Sequence, residues 1–288
     1  MMKDRYPIRI NPPIKALVIS ALILLLIAPV NGWSDGNIFL GMPGVKGGVA
    51  TTSESLAAQI GGKILRQGGN AVDAASAIAF ALNVLEPQSS GIGGFMMIHL
   101  KKKRKTFVID SRERAPEAAD PNMFLDTNGD SFAFPIRSTS GVGVGVPGMV
   151  RGIALALDNW GTMPLAEVLD PAIKLAQDGF RVSSRLADSI ADGIDEGGRL
   201  SNEIGDPAYD LARSVFVPGG TPLAQNDLLI QTDLGKTLQM IADKGPDAFY
   251  TNPIAQAIVD TQFNARTTDS NGDPYPYPQK IWTTCAAE

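Results

Sequence analysis

The sequence predicts an α+β fold, a sheet covered by helices. Three observations predict it. Two glycine- and asparagine-bounded segments before residue 86 carry apolar residues at helical spacing. Two strand-like apolar runs, residues 95–100 and 106–109, flank a short basic connection. From Pro147 onward, apolar helical faces follow one another, most of them closed by a glycine. No repeat of fixed period interrupts this order.

The elements follow in order. Residues 46–52, KGGVATT, read as an early strand. Ser53 is placed to cap a helix carrying Leu56, Ile60, Ile64 and Leu65, and Gly68-Gly69 stops it. Asn70 starts the next helix, with Asp73 three positions on, a carboxylate near the positive helix end. Residues 71–85 are alanine-rich and suited to close packing, and Pro87 ends them. Gly91-Ile92-Gly93-Gly94 is a tight turn into the hairpin, which Ala115-Pro116 closes. Residues 117–145 are polar and glycine-dotted, a surface excursion. Pro147 then opens a helix with Val150, Ile153, Ala154 and Leu157 on one face and Gly161 at its end. Pro164 opens another, with Leu165, Val168, Leu169, Ile173 and Leu175, stopped by Gly179. Residues 183–194 form a third, weaker in pattern. Residues 223–231 give a turn and short strand, and Thr232 or Asp233 caps a helix with Leu234, Leu238 and Ile241, stopped by Gly245. A short helix spans residues 253–261.

Composition narrows the function classes. The 288 residues are 44% hydrophobic and 19% charged, with net charge −5, which gives no reason to expect nucleic-acid binding. The exception, Lys101-Lys-Lys-Arg-Lys105, reads as a solvated hairpin loop. One cysteine, Cys285, excludes a disulfide within the chain. With one histidine, His99, a zinc site built on several His or Cys ligands is excluded as well. His99 alternates with apolar neighbours in MMIHL and reads as a strand residue rather than a base.

The N-terminus reads as an export signal. Lys3, Arg5, Arg9 and Lys15 precede an uncharged apolar run at residues 16–30. That run is short against the roughly 20 residues of a membrane-spanning helix, although an uncleaved anchor remains the alternative. The expected organisation is therefore a signal or anchor at 1–35, a main domain at 36–273 and a tail at 274–288. The main domain is expected outside the cytoplasm.

Several motifs invite chemical readings. GIGGF lacks the following helix and lysine of a phosphate loop, so a tight turn explains it and no cofactor is expected. Asp110, Glu113 and Glu117 have the composition of a glycosidase acid pair, but nothing in the sequence fixes their separation. Asp126–Asp130 and Asp269–Asp273 resemble calcium-loop openings without the acidic residue and helices that complete one, which favours polar turns. Arg112 follows a strand end, a rigid platform from which a guanidinium fork can hold a carboxylate. A surface ion pair with Glu113, Asp110 or Glu117 is the plain alternative.

The sequence resembles the large-subunit end of gamma-glutamyltransferases. VATTSESLAAQIGGKILRQGGNAVDAA resembles the family's first helical pair, EPQSSGIGGFMM its glycine turn and strand, and DSRERAP its D-x-R-E-x-A-P. VGVPGMVRG and the stretch to DGFRV resemble its V-P-G helix and the next one; NDLL and DAFYTNPIAQAIV follow in family order. The resemblance covers about residues 45–265. It implies part of an N-terminal-nucleophile hydrolase αββα sandwich, the large-subunit half. It also implies a threonine nucleophile at the start of a small subunit, which attacks the γ-glutamyl amide of glutathione and passes the acyl group to water or an amino acid. A histidine is not needed, since the threonine's own amine serves as base. Arg112 matches the family arginine that holds the glutamate α-carboxylate. Glu113 matches a loop-ordering position, and Arg114 fills a variable one.

Two departures stand out. The glycine turn has fewer glycines than is usual, and the resemblance stops before the family's self-cleavage threonine. Thr283-Thr284 precede Cys285 rather than histidine. The expectation is a chain truncated before its nucleophile, with no catalytic residue of its own, lacking its small-subunit partner and inactive alone. Two rivals remain: a non-catalytic relic or a glutamate-binding module built on Arg112, and a cephalosporin-acylase relative.

Overall fold

The computed structural model describes residues 48–264, except 102, 118, 127, 133–136, 138–142, 196–199, 201–208 and 252. The segments expected to form the export signal and the tail lie outside the described residues, as does Asp269–Asp273.

Two helices open the domain, α1 (Ser55–Arg66) and α2 (Ala71–Leu85). Gly68, at φ +98, provides the left-handed residue that turns the chain between them. The Asn70 side chain accepts from the Val72 and Asp73 backbone N–H groups, while Asp73 accepts from Asn70 N–H. This is the reciprocal cap that the spacing predicted. Asp73 also reaches a distant loop: Thr162 N–H and hydroxyl donate to it at 2.9 and 2.6 Å, and Met163 N–H at 3.2 Å. One buried carboxylate thus fixes the α2 N-terminus against the segment that follows Trp160.

Helix α2 is the centre of the core. Ala74, Ala77, Phe80, Ala81, Val84 and Leu85 are all buried. Its alanines let α1 and a later helix, Leu165–Asp178, approach closely. Each large side chain buried this way contributes roughly 1.5–3 kcal/mol.

The hairpin is β1 (Gly94–Leu100) with β2 (Lys105–Ser111), antiparallel, with Gly94 opposite Ser111 and Leu100 opposite Lys105. Ile98 and Ile109 face the core. The other face leaves Phe95, Met97 and Val108 at 63, 73 and 59% exposure, with Met97 directly opposite Val108. One apolar face of this two-stranded sheet is uncovered by any described residue.

The second half is helical: α3 (Met149–Trp160), α4 (Leu165–Asp178), α5 (Ser184–Ile194), α6 (Asp210–Phe216), α7 (Thr232–Lys244), α8 (Asp247–Tyr250) and α9 (Ile254–Asn264). Gly161, Gly179 and Gly245 end α3, α4 and α7 as expected. Between them β3 (Phe180–Arg181) pairs with β4 (Leu228–Leu229), burying Phe180 and Leu229. Apolar side chains of α2, α4 and α7, together with Leu186 and Ile190 of α5, join one continuous core.

Three expectations need correction. Residues 48–52 form no strand, because no neighbouring strand among the described residues accepts their backbone; Ala50 instead packs toward Gly61 of α1. Ser53 does not cap α1; Glu54 occupies that place, and the Ser53 hydroxyl donates to Glu86 instead. Gln231, rather than Thr232 or Asp233, precedes α7, and its buried amide donates to Val84 O at 2.8 Å. It ties the end of α2 to the start of α7.

Candidate functional site

The region around Arg112 is built from three segments that meet at the end of β2. The first is β2 itself. Asp110 Oδ1 accepts from Arg112 N–H at 3.2 Å, and Ser111 Oγ donates to Gly94 O at 2.9 Å. The backbone therefore turns at a defined point, and Arg112 leaves the sheet there.

The second segment is the glycine turn. Asn83 donates through Nδ2 to Ser90 O at 3.0 Å and to Gly91 O at 2.9 Å. Met149 N–H, at the start of α3, donates to Ile92 O at 3.0 Å. A Cβ at Gly93 would lie 2.4 Å from Glu113 Cδ and Oε1. The Glu113 side chain occupies the space beside this glycine, and a Cβ there would displace its carboxylate.

The third segment, residues 143–148, leads into α3. Val146 and Arg114 exchange both backbone hydrogen bonds, at 2.8 and 3.1 Å. A Cβ at Gly145 would lie 2.8 Å from Glu113 Cβ, and one at Gly148 would lie 2.5 Å from Ser111 O. Glu113 is thus flanked by glycines of two separate loops, and Gly148 lets α3 start directly against the Arg112 backbone.

Arg112 itself is 63% exposed. Its Nε lies 3.5 Å from Glu113 Oε2, and its guanidinium carbon is 5.8 Å from the Phe95 ring centroid. Nη1 and Nη2 have no hydrogen-bond partner among the described residues. An ion pair this exposed contributes on the order of 0–1 kcal/mol, so it orients the guanidinium without consuming it. The outer edge of the fork is free to take a carboxylate in two parallel bonds. A cleft of about 290 Å³ is lined by the neighbouring Phe95 and Ser111, with Ala79, Asn83, Ser90 and Gly152; Arg112 itself does not line it.

A second polar group holds the glycine turn from below. Glu86, almost wholly buried, accepts from Arg185 Nη1 at 2.8 Å, Ser53 Oγ at 2.9 Å and Ser90 Oγ at 3.4 Å. Arg185 Nη2 also donates to Ser89 Oγ at 3.0 Å. A residue of α5 therefore clasps the turn that carries Gly91 to Gly94.

The structure brings Arg112 and Glu113 together, as the sequence allowed. Asp110 is engaged by the Arg112 N–H rather than by a second carboxylate. Asp126 Oδ1 accepts from Asn128 and Asp130 N–H at 2.8 Å each, the polar turn expected in place of a calcium loop. His99 shares a 2.9 Å hydrogen bond with Thr106 across the hairpin, as a strand residue. No cluster of three metal-binding side chains occurs among the described residues. Asn83, Glu86 and Arg185 were missed. Two polar residues at the end of an apolar helix were the available signal; the partner 99 positions away gave none.

Comparison with known proteins identifies the family and the fold. The family model for gamma-glutamyltranspeptidase matches residues 57–268. The glutathione hydrolase proenzyme of Bacillus subtilis is 46% identical over 243 residues, 82% of this chain and 40% of that protein. The chain thus spans about two fifths of the length of such curated relatives. The gamma-glutamyltranspeptidase of Helicobacter pylori superposes with a TM-score of 0.70 at 36% identity, over 78% of this chain and 62% of that one. A cephalosporin acylase from Bacillus halodurans superposes with a TM-score of 0.68 at 31% identity, over 81% of this chain and 41% of that one. The fold is that of the N-terminal-nucleophile hydrolases, of which this chain carries a mixed helix-and-strand part. The chain belongs to the gamma-glutamyltranspeptidase family.

Proposed function

We propose that this chain supplies the α-carboxylate-anchoring part of an enzyme that hydrolyses or transfers the γ-glutamyl group of glutathione and related amides. Arg112 is the anchor. The observation that carries this reading is its guanidinium, oriented by Glu113 and Phe95 while both terminal nitrogens stay open. A glutamate α-carboxylate fits that edge in two charge-assisted bonds. With the α-carboxylate held, the γ-carbonyl is kept at a fixed distance from the anchor, and positioning of this kind accelerates acyl transfer.

The attacking group in this reading is the threonine of a small subunit. Its hydroxyl adds to the γ-carbonyl and loses its proton to the threonine amine; the γ-amide nitrogen leaves with a proton. Water or an amino acid then takes the acyl group. The exposed face of Phe95, Met97 and Val108 is where the small-subunit layer would pack. The protein works outside the cytoplasm, its residues 1–35 serving export.

Calorimetric titration tests the anchor. L-Glutamate and glutathione carry a free α-carboxylate next to an α-amine; isoglutamine carries the α-carboxylate as an amide. The expected result is binding of the first two, at least tenfold weaker binding of isoglutamine, and loss of binding in Arg112→Ala, the size of a charge-assisted fork of about 1.5–3 kcal/mol. Equal binding of all three ligands would refute the role. A second reading, an acylase acting on cephalosporin-type amides, is favoured by the structural likeness to the Bacillus halodurans enzyme.

A further inference from the structure

The hairpin tip carries a feature that the γ-glutamyl reading does not use. Lys101, Lys103, Arg104 and Lys105 are all exposed, and none forms an ion pair among the described residues. The connection is closed by Lys103 N–H to Leu100 O at 3.0 Å and Arg104 N–H to Lys101 O at 3.3 Å. That turn places its last residue in the left-handed region, and Arg104 has φ +47. Glycine or asparagine adopts this conformation at less cost than arginine does. The turn's geometry therefore does not explain its composition; positive charge is kept at a position where the backbone favours another residue.

The surroundings sharpen the point. The chain as a whole has net charge −5, so the tip is a local cationic site on an acidic protein. Three of the four described cations are lysines, which are compact point charges rather than planar forks. The described cleft is not lined by the tip, and no aromatic ring contact involves these four residues, so they present point charges rather than a stacking platform. A diffuse array of negative charge is what such a tip matches.

We propose that the hairpin tip, Lys101, Lys103, Arg104 and Lys105, docks the protein on the surface of an anionic phospholipid bilayer. Beyond the basic, apolar export segment at residues 1–35, the remainder is acidic and repelled from the same surface, so the main domain makes contact through the tip. Binding is electrostatic, with no apolar insertion, and is weakened by salt over a Debye length of about 8 Å at physiological ionic strength. Each cation near an anionic membrane strengthens binding about fivefold.

Co-sedimentation of the protein without its export segment, residues 36–288, with vesicles tests this. One set is phosphatidylcholine with phosphatidylglycerol and the other is phosphatidylcholine alone. The expected result is sedimentation with the anionic set only, lost as sodium chloride is raised. Lys101→Gln/Lys103→Gln should weaken it about 25-fold. Arg104→Asn separates charge from structure: binding should fall about fivefold while the melting temperature holds or rises, because asparagine suits the left-handed turn. Equal binding to both vesicle sets, no binding to either, or unchanged binding of the double variant would overturn the proposal. Competition by inorganic phosphate beyond that of chloride at matched ionic strength would also overturn it, since it would indicate a discrete phosphate site.

Discussion

Replacing Asp73 with asparagine tests how the helical layer beneath the site is held. The wild-type carboxylate is buried and accepts four hydrogen bonds: Asn70 N–H at 2.7 Å and the Thr162 hydroxyl at 2.6 Å on Oδ2, and Thr162 N–H at 2.9 Å and Met163 N–H at 3.2 Å on Oδ1. Asparagine keeps the oxygen that faces Thr162 and Met163 N–H. It puts an NH₂ group where Oδ2 stood, facing the Asn70 N–H, a donor that cannot turn away. The Thr162 hydroxyl can rotate to accept. One charge-assisted bond is therefore lost and a buried donor left unpaired, about 1.5–3 kcal/mol, and the negative charge at the α2 N-terminus contributes about 0.3–1 kcal/mol more. The expected loss is about 2–4 kcal/mol.

Burial would raise the Asp73 pKa, but the Thr162 hydroxyl and the Asn70, Thr162 and Met163 N–H groups outweigh it and hold the carboxyl below its usual value of 3.8. A depressed folded-state pKa stabilises above the unfolded value, and that stability is lost as pH falls through the folded one. The wild type should therefore lose stability below about pH 4 by this route, and the asparagine variant should not lose that share. Urea unfolding followed by fluorescence in a Trp33→Phe/Trp282→Phe background leaves Trp160, whose carbonyl accepts from Asn70 Nδ2 at 2.7 Å, as the sole tryptophan and reads the effect where it occurs. A loss under about 1 kcal/mol, or an unchanged acid slope, would refute this account of the cap.

Two further predictions concern the site. Arg185→Ala strips the near-buried Glu86 of its cationic partner; because Arg185 is itself half exposed, water replaces it in part and the expected cost is about 1–2 kcal/mol. Adding Glu86→Gln should recover some of that loss, and a double-mutant cycle in urea that shows simple additivity would contradict the pairing. Gly148→Ala places a Cβ 2.5 Å from Ser111 O and 3.1 Å from Arg112 O, both backbone atoms, so the loop must shift at about 1–3 kcal/mol; glutamate affinity measured by calorimetry should fall with it.

The local signals were the legible ones. Asn70 and Asp73 announced the α2 cap three residues apart, Gly161, Gly179 and Gly245 marked helix ends, and alternation in MMIHL marked β1. These are encoded within a turn or two of chain. Pairings across the fold were not legible. KGGVATT looks like a strand, but a strand needs a neighbour, and residues 48–52 have none among the described residues. Ser53 looks like a cap, yet its hydroxyl is drawn to Glu86, 33 positions on. β4 falls within the short strand expected at residues 223–231, but its two-residue partner β3 is too short for any period, and only pairing with β4 makes it a strand. At the site, Arg112 was found through its motif. Its setting, with Glu113 between Gly93 and Gly145 and with Glu86 gripped by Arg185, depends on contacts between segments that no local pattern reveals.

The most direct test of the Arg112 assignment is the ¹⁵Nε–Hε resonance of its side chain, assigned by its absence in Arg112→Lys. Saturating L-glutamate should move this resonance, while isoglutamine at the same concentration should leave it in place. A resonance unmoved by glutamate, or moved equally by isoglutamine, would show that Arg112 does not hold the α-carboxylate.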